Sequence, residues 1–193
     1  MKLIVAMTGA TGAAIGVRVL SALKDLGVET HLVISRWARA TIELETPYSV
    51  QEVIALASKT YSERDQAAAI SSGSFRVDGM IVVPCSMKTL AAIRCGYGEG
   101  LIARAADVTL KEQRKLVLVP RESPLNAIHL ENMLALTRAG AMMMPPMPAF
   151  YNHPVSTDDI INHVASRILD QFGLENNLTR RWGDTTPTPL ATA

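Results

Sequence analysis

Four short apolar runs constrain this chain most. Each ends in a glycine or proline turn or a small polar residue, and each is followed by residues with helical spacing. The run over 2–7 enters a glycine-rich stretch, 9–16, and the run over 29–35 ends at Ser35. The runs over 79–83 and 115–119 are closed by Pro84 and Pro120. Continuous apolar strands of this length belong to parallel sheets covered on both faces. Between the first two, Ile15, Val19, Ala22, Leu23 and Leu26 recur at helical spacing, and Gly27 ends the helix. The pattern predicts further helices over 37–44, 50–58, 86–94, 101–112, 126–138 and 157–172, and a short strand over 141–144. Ser156 and Asp159 resemble a capping box with Asp in place of Glu. The segment 60–75 reads as a long loop, and the Thr/Pro/Ala-rich tail 184–193 as disordered. Alternation of this kind predicts one doubly wound α/β domain, whose ligands sit at the carboxyl ends of the strands.

Composition narrows the function. The 193 residues are 48% hydrophobic and 19% charged, with a formal net charge of +1. That balance fits a packed domain and gives no support to a nucleic-acid or membrane-surface binder driven by bulk charge. Two cysteines, Cys85 and Cys95, are too few for a disulfide framework and read as buried small hydrophobes. The four histidines and two cysteines lack metal-ligand spacing, so no structural metal is expected. No apolar run approaches the ~20 residues needed to cross a bilayer.

Three constellations carry chemistry. The turn Met7-Thr8-Gly9-Ala10-Thr11-Gly12 brings backbone N–H groups to the start of a helix, where an anion binds. Its glycines do not follow the dinucleotide fingerprint, and no Gly-Lys-Ser/Thr makes it a Walker loop. No tyrosine has a lysine four residues on, which argues against a short-chain dehydrogenase. The turn Pro84-Cys85-Ser86-Met87-Lys88-Thr89 places hydroxyls at a second helix start. It suits a terminal phosphate, or Ser86 simply caps the helix. Arg104 and Lys111 are two helical turns apart on one face, and Arg121 leaves the fourth strand. These cations near one crevice would suit a phosphorylated substrate; a solvated basic face is the alternative.

Together these stretches resemble one family. Met7–Gly12, Pro84-Cys85-Ser86, Arg104-Ala105-Ala106-Asp107-Val108 and Leu118-Val119-Pro120-Arg121-Glu122 are similar to the UbiX-type flavin prenyltransferases. So are His129-Leu130-Glu131-Asn132-Met133-Leu134, Pro148-Ala149-Phe150-Tyr151 and Arg180-Arg181-Trp182-Gly183, in the same order from about Lys2 to Gly183. Trp37 and the stretch from Glu43 to Tyr48 resemble the branch once named as the small subunit of phenolic-acid decarboxylases.

The resemblance implies a Rossmann-like or flavodoxin-like flavoprotein domain over 1–183, in a cytoplasmic homo-oligomer, commonly a dodecamer. It implies transfer of a dimethylallyl group from dimethylallyl phosphate to N5 and C6 of reduced FMN, with no metal. Prenylated FMN would then serve a UbiD-type decarboxylase. Carried onto this sequence, flavin contacts fall on Gly9, Ala10, Thr11, Ser35, Ser86, Met87, Thr89 and Arg104. Thr11 stands where most members have Ser. The prenyl phosphate would meet Lys111, Arg121, Tyr151 and Arg167. Glu122 matches the acid/base for the departing phosphate, Glu45 a carboxylate near flavin N5, and Trp182 an aromatic over the prenyl tail. With Lys111, these carry the chemistry.

Three rivals make different forecasts. A cysteine-decarboxylase-type oxidoreductase would want a Pro-x-Met-Asn clamp, whereas Pro145-Pro146-Met147-Pro148 has no Asn. A direct aromatic-acid decarboxylase would release carbon dioxide by itself. An FMN carrier or accessory subunit would bind FMN without turning over a prenyl phosphate.

Overall fold

The computed structural model describes residues 1–183. Strands β1 (Lys2–Met7), β2 (Glu29–Ile34), β3 (Lys59–Tyr61), β4 (Gly79–Cys85), β5 (Lys115–Pro120) and β6 (Met142–Met143) form one sheet. Its order is β3-β2-β1-β4-β5-β6, and every pairing is parallel. The chain works outward in one direction from β1, then returns to place β4 on the other side. The crevice between the carboxyl ends of β1 and β4 is therefore the topological switch point.

Among the described residues seven helices cover the sheet: α1 (Ala13–Asp25), α2 (Arg36–Glu45), α3 (Val50–Ile54), α4 (Met87–Arg94), α5 (Leu101–Lys111), α6 (Ala127–Arg138) and α7 (Thr157–Asp170). Strand side chains alternate between faces. Leu3, Val5, Met7, Ile81, Val83, Val117 and Val119 face α1 and α7 in one cluster. Ile4, Ala6, Met80, Val82, Leu116 and Leu118 face α4 and α5 in the other. Gly16 lets α1 lie close to the sheet: a Cβ there would stand 2.6 Å from the Val83 carbonyl oxygen. Gly27, at φ 68, closes the turn after α1 as expected.

Some boundaries differ from the sequence reading. The segment read as a loop, 60–75, opens in edge strand β3, which shares three residue pairs with β2, and holds a 3-10 turn at Ala69–Ser71. Three residues are too few for an apolar period to show. The second short helix stops at Ile54, with a true capping box between Ser49 and Glu52. Asp159 does complete the box with Ser156, its Oδ2 accepting from the Ser156 N–H at 2.9 Å. Cys95 is exposed, whereas Cys85 is fully buried. The tail from Asp184 lies outside the described residues.

Candidate active site

Two helix starts meet at the switch point. α1 opens at Gly12, whose φ of 107 puts it in the left-handed region that favours glycine. α4 opens at Ser86, whose Oγ accepts from the Thr89 N–H at 3.2 Å and bonds the Thr89 hydroxyl at 3.1 Å. Thr8 joins the two strands beneath. Its buried hydroxyl donates to the Pro84 carbonyl at 2.9 Å and accepts from the Ser86 N–H at 2.7 Å. Sequence reading placed Thr8 in a turn motif and missed this clamp. The signal was there: a lone hydroxyl directly after a buried apolar strand needs partners.

Helix α2 lies over the mouth of the crevice. At its start, Ser35 caps the helix through the Ala38 N–H, and Trp37 packs against Gly9. At its end, Glu45 Oε2 accepts from the N–H groups of Gly12 and Ala13 at 2.8 and 2.9 Å. A carboxylate thus satisfies the α1 start. The α4 start carries no acidic residue in its first turn and presents the Ser86 and Thr89 hydroxyls. With the α1 start taken by Glu45, the α4 start is the one open to a phosphate, and Gly9, Ala10, Thr11 and Ser35 border the same crevice. Met87 begins α4 at that place.

Cys85 also sits here, but burial pushes its thiol up to about 12. It stays protonated and is no nucleophile. Among the described residues no group of three or more His, Cys, Asp or Glu is placed to hold a metal ion.

The cations read as sharing one crevice do not share it within one chain. Arg121 and Glu122 leave the carboxyl end of β5, and the Arg121 N–H donates to the Cys85 carbonyl at 3.3 Å. Lys111 ends α5, just before β5 begins. At about 3.3 Å per residue, β5 separates them by about 20 Å. Arg104 and Lys111 do share a face, along the loop after the 3-10 turn. Arg104 donates to the Ser71 carbonyl and pairs with Asp107 Oδ2 at 2.9 Å. Lys111 stands over Gly73 and pairs with Glu112, which it holds below the usual carboxylate range.

Three other candidates do come together, beside α7. Tyr151, Arg167 and Trp182 line one cavity of about 400 Å³ with His163, Thr179, Arg180 and Arg181. Tyr151 meets the Trp182 ring edge-on, with centroids 5.2 Å apart. Arg181 grips Asp170 through two hydrogen bonds of 2.8 and 2.9 Å, and Arg167 adds a third at 2.8 Å. Those bonds hold the Asp170 carboxyl below its usual range. The carboxyl end of α7 neighbours Lys115, the first residue of β5, and the cavity lies back along that helix, at His163 and Arg167.

Known proteins match this arrangement closely. A family model described as Flavoprotein matches residues 1–169. A probable UbiX-like flavin prenyltransferase of Escherichia coli O157:H7 is 69% identical over 183 residues, 94% of this chain and 93% of its own. The chain belongs to the UbiX-like flavin prenyltransferase family. A crystal structure of a dodecameric FMN-dependent UbiX-like decarboxylase from that bacterium superposes with a TM-score of 0.93 at 69% identity, covering 94% and 99% of the two chains. A crystal structure of AnUbiX (PadA1) in complex with FMN and dimethylallyl pyrophosphate also gives a TM-score of 0.93, at 58% identity over 94% and 97% of the two chains. No helix among the described residues is long and apolar enough to cross a membrane.

Proposed function

We infer that this chain is a flavin prenyltransferase that moves a dimethylallyl group from dimethylallyl phosphate onto N5 and C6 of reduced FMN. The prenylated FMN goes to a UbiD-type decarboxylase, and we place the reaction in the cytoplasm. The observation that carries this reading is the pair of sites in a member of this family. One is a crevice whose α4 start is open to a phosphate, and the other is a cavity lined by aromatic rings and guanidinium groups.

Reduced FMN supplies the electron-rich ring that accepts the prenyl group. The residues do the rest. Ser86, Met87 and Thr89 would hold the FMN phosphate at the start of α4, and Arg104, one turn into α5, would contact the flavin. Gly9, Ala10, Thr11 and Ser35 would orient the ring, and Glu45 would be the carboxylate near it. Breaking the carbon–oxygen bond of the donor sends the electron pair to the phosphate. Arg121, Lys111, Arg167 and Tyr151 stabilise that growing charge, and Glu122 manages its proton. Trp182 and Tyr151 offer ring faces to the cationic allylic fragment and keep water from it.

A single chain holds Lys111 and Arg121 at opposite ends of β5, so the complete donor site forms where chains of a homo-oligomer meet. Ile128, Leu130 and Leu134 on α6, with Trp37 and Leu44 on α2, leave apolar surface that such an assembly covers. The deciding experiment is anaerobic: reduced FMN and dimethylallyl phosphate are mixed with the protein, and the extracted flavin is weighed. A gain of one five-carbon unit is expected. Bound but unmodified FMN would point to a carrier, and carbon dioxide release from an aromatic acid by this chain alone to a decarboxylase.

A further inference from the structure

His163 lies midway along α7, only 7% exposed, in the cavity of Tyr151, Arg167 and Trp182. Its ring meets Tyr151 edge-on with centroids 5.7 Å apart. Its Nδ1 stands 3.4 Å from Thr179 Oγ1, and Asn152 Nδ2 donates to the same oxygen at 3.2 Å. One imidazole therefore touches the 151–152 turn, its own helix and the stretch that carries Trp182. A hydroxyl has a single proton to give. With Asn152 donating into Thr179, that proton goes to Nδ1 or to the Arg180 carbonyl, 3.4 Å away. Nδ1 can take it only as the acceptor of a neutral ring; an imidazolium carries N–H on both nitrogens.

The surrounding charges favour the neutral ring. Burial first, and Arg167 one turn along second, hold His163 below the ordinary imidazole range, against the pull of Asp170. Arg180 and Arg181 line the same cavity from the carboxy-terminal stretch, and Tyr151 from the preceding loop. α1 packs along α7 without adding a charge that acts on His163.

We propose that neutral His163 is a positioning residue for prenyl transfer: it pins Thr179 and thereby sets the Tyr151–Trp182 wall against the prenyl donor. The proposal rests on the reading of Tyr151, Arg167 and Trp182 as donor-binding groups. Acid adds a cation in a cavity already lined by the Arg167, Arg180 and Arg181 guanidinium groups, and that repulsion releases the pin.

The test compares KM and kcat for dimethylallyl phosphate at saturating reduced FMN, from pH 5.5 to 7.5, in the intact oligomer. Wild type is set beside His163→Gln and His163→Leu. The donor phosphate itself titrates near pH 6, so the variant-to-wild-type ratio is read at each pH. His163→Leu is expected to raise KM about tenfold at the upper pH with kcat little changed, the size of one lost hydrogen bond. That ratio should fall toward one at the lower pH, where wild type has lost the pin as well. The amide oxygen of His163→Gln accepts without titrating, so this variant should keep a low KM throughout. A ratio flat with pH, or a Gln variant as impaired as the Leu variant, overturns the proposal. A second readout needs no turnover: acrylamide quenching of Trp182 in a Trp37→Phe background. Quenching should rise in acid for His163 and stay flat for His163→Gln. If it does so while donor KM is indifferent to both variants, the donor reading of the cavity fails and the pin survives. If quenching is also indifferent, the pin itself fails.

Discussion

The crevice at β1 and β4 and the cavity on α7 are built by opposite means. The crevice is made of backbone: two helix starts, closed beneath by the Thr8 hydroxyl and above by Glu45 on Gly12 and Ala13. Its geometry follows from the sheet order. The cavity is made of long side chains from three segments, and two of them stand well out of the fold. Trp182 is 81% exposed and the Arg167 side chain 51%. The difference teaches that the shape of the crevice is a property of the fold, whereas that of the cavity depends on long side chains that the fold alone does not hold.

Substitutions can break that comparison, and the largest effect belongs to the chemistry itself. Glu122→Gln should leave FMN bound while slowing transfer by about 10²–10⁴-fold, the usual worth of a positioned acid/base. Rapid quench of prenyl transfer checks it, and an unchanged rate would remove Glu122 from the mechanism. Next, Arg167→Ala should raise donor KM by about ten- to a hundredfold, as expected for a lost charge-assisted hydrogen bond, with FMN affinity untouched. Loss of FMN in that variant would mean the two regions are not separable. Thr8→Val strikes the crevice instead. It strands the Ser86 N–H and should cost about 1–3 kcal/mol, read from denaturant midpoints.

The smallest effect is a pH dependence. Asp170 is held below its ordinary 3.8, chiefly by the Arg181 hydrogen bonds. The unfolded chain therefore binds the proton more readily, so the stability this group contributes is full above that value and lost as pH falls through its folded pKa. Asp170→Asn should flatten this acid limb of the stability curve, and an unchanged limb would place the acid sensitivity in another carboxylate.

Much of this was legible from residues alone. The apolar runs and their glycine and proline stops marked the four long strands, because strands buried on both faces need continuous apolar sequence. Edge strand β3 escaped, since Lys59-Thr60-Tyr61 has one buried side chain and no period to read. The family motifs pointed to the residues of the crevice and to Tyr151, Arg167 and Trp182. Spacing put Arg104 and Lys111 correctly on one face, but spacing along a helix carries no information about which end of a distant strand that face approaches. The grouping with Arg121 failed for that reason. His163 and Thr179 were invisible for another: they are sixteen residues apart, and their partnership depends on how the carboxy-terminal stretch folds back along α7.

The span of β5 has a consequence that genetics can read. If Lys111 and Arg121 work on one phosphate while about 20 Å of strand separates them in each chain, a catalytic centre draws them from different chains. Lys111→Ala and Arg121→Ala, each inactive when purified, would then complement one another. Hybrid assemblies refolded or co-expressed from the two should contain some centres with both cations intact, and activity should return in the proportion that random mixing allows. Failure to complement, in hybrids verified by native mass spectrometry, would mean that each chain serves only itself.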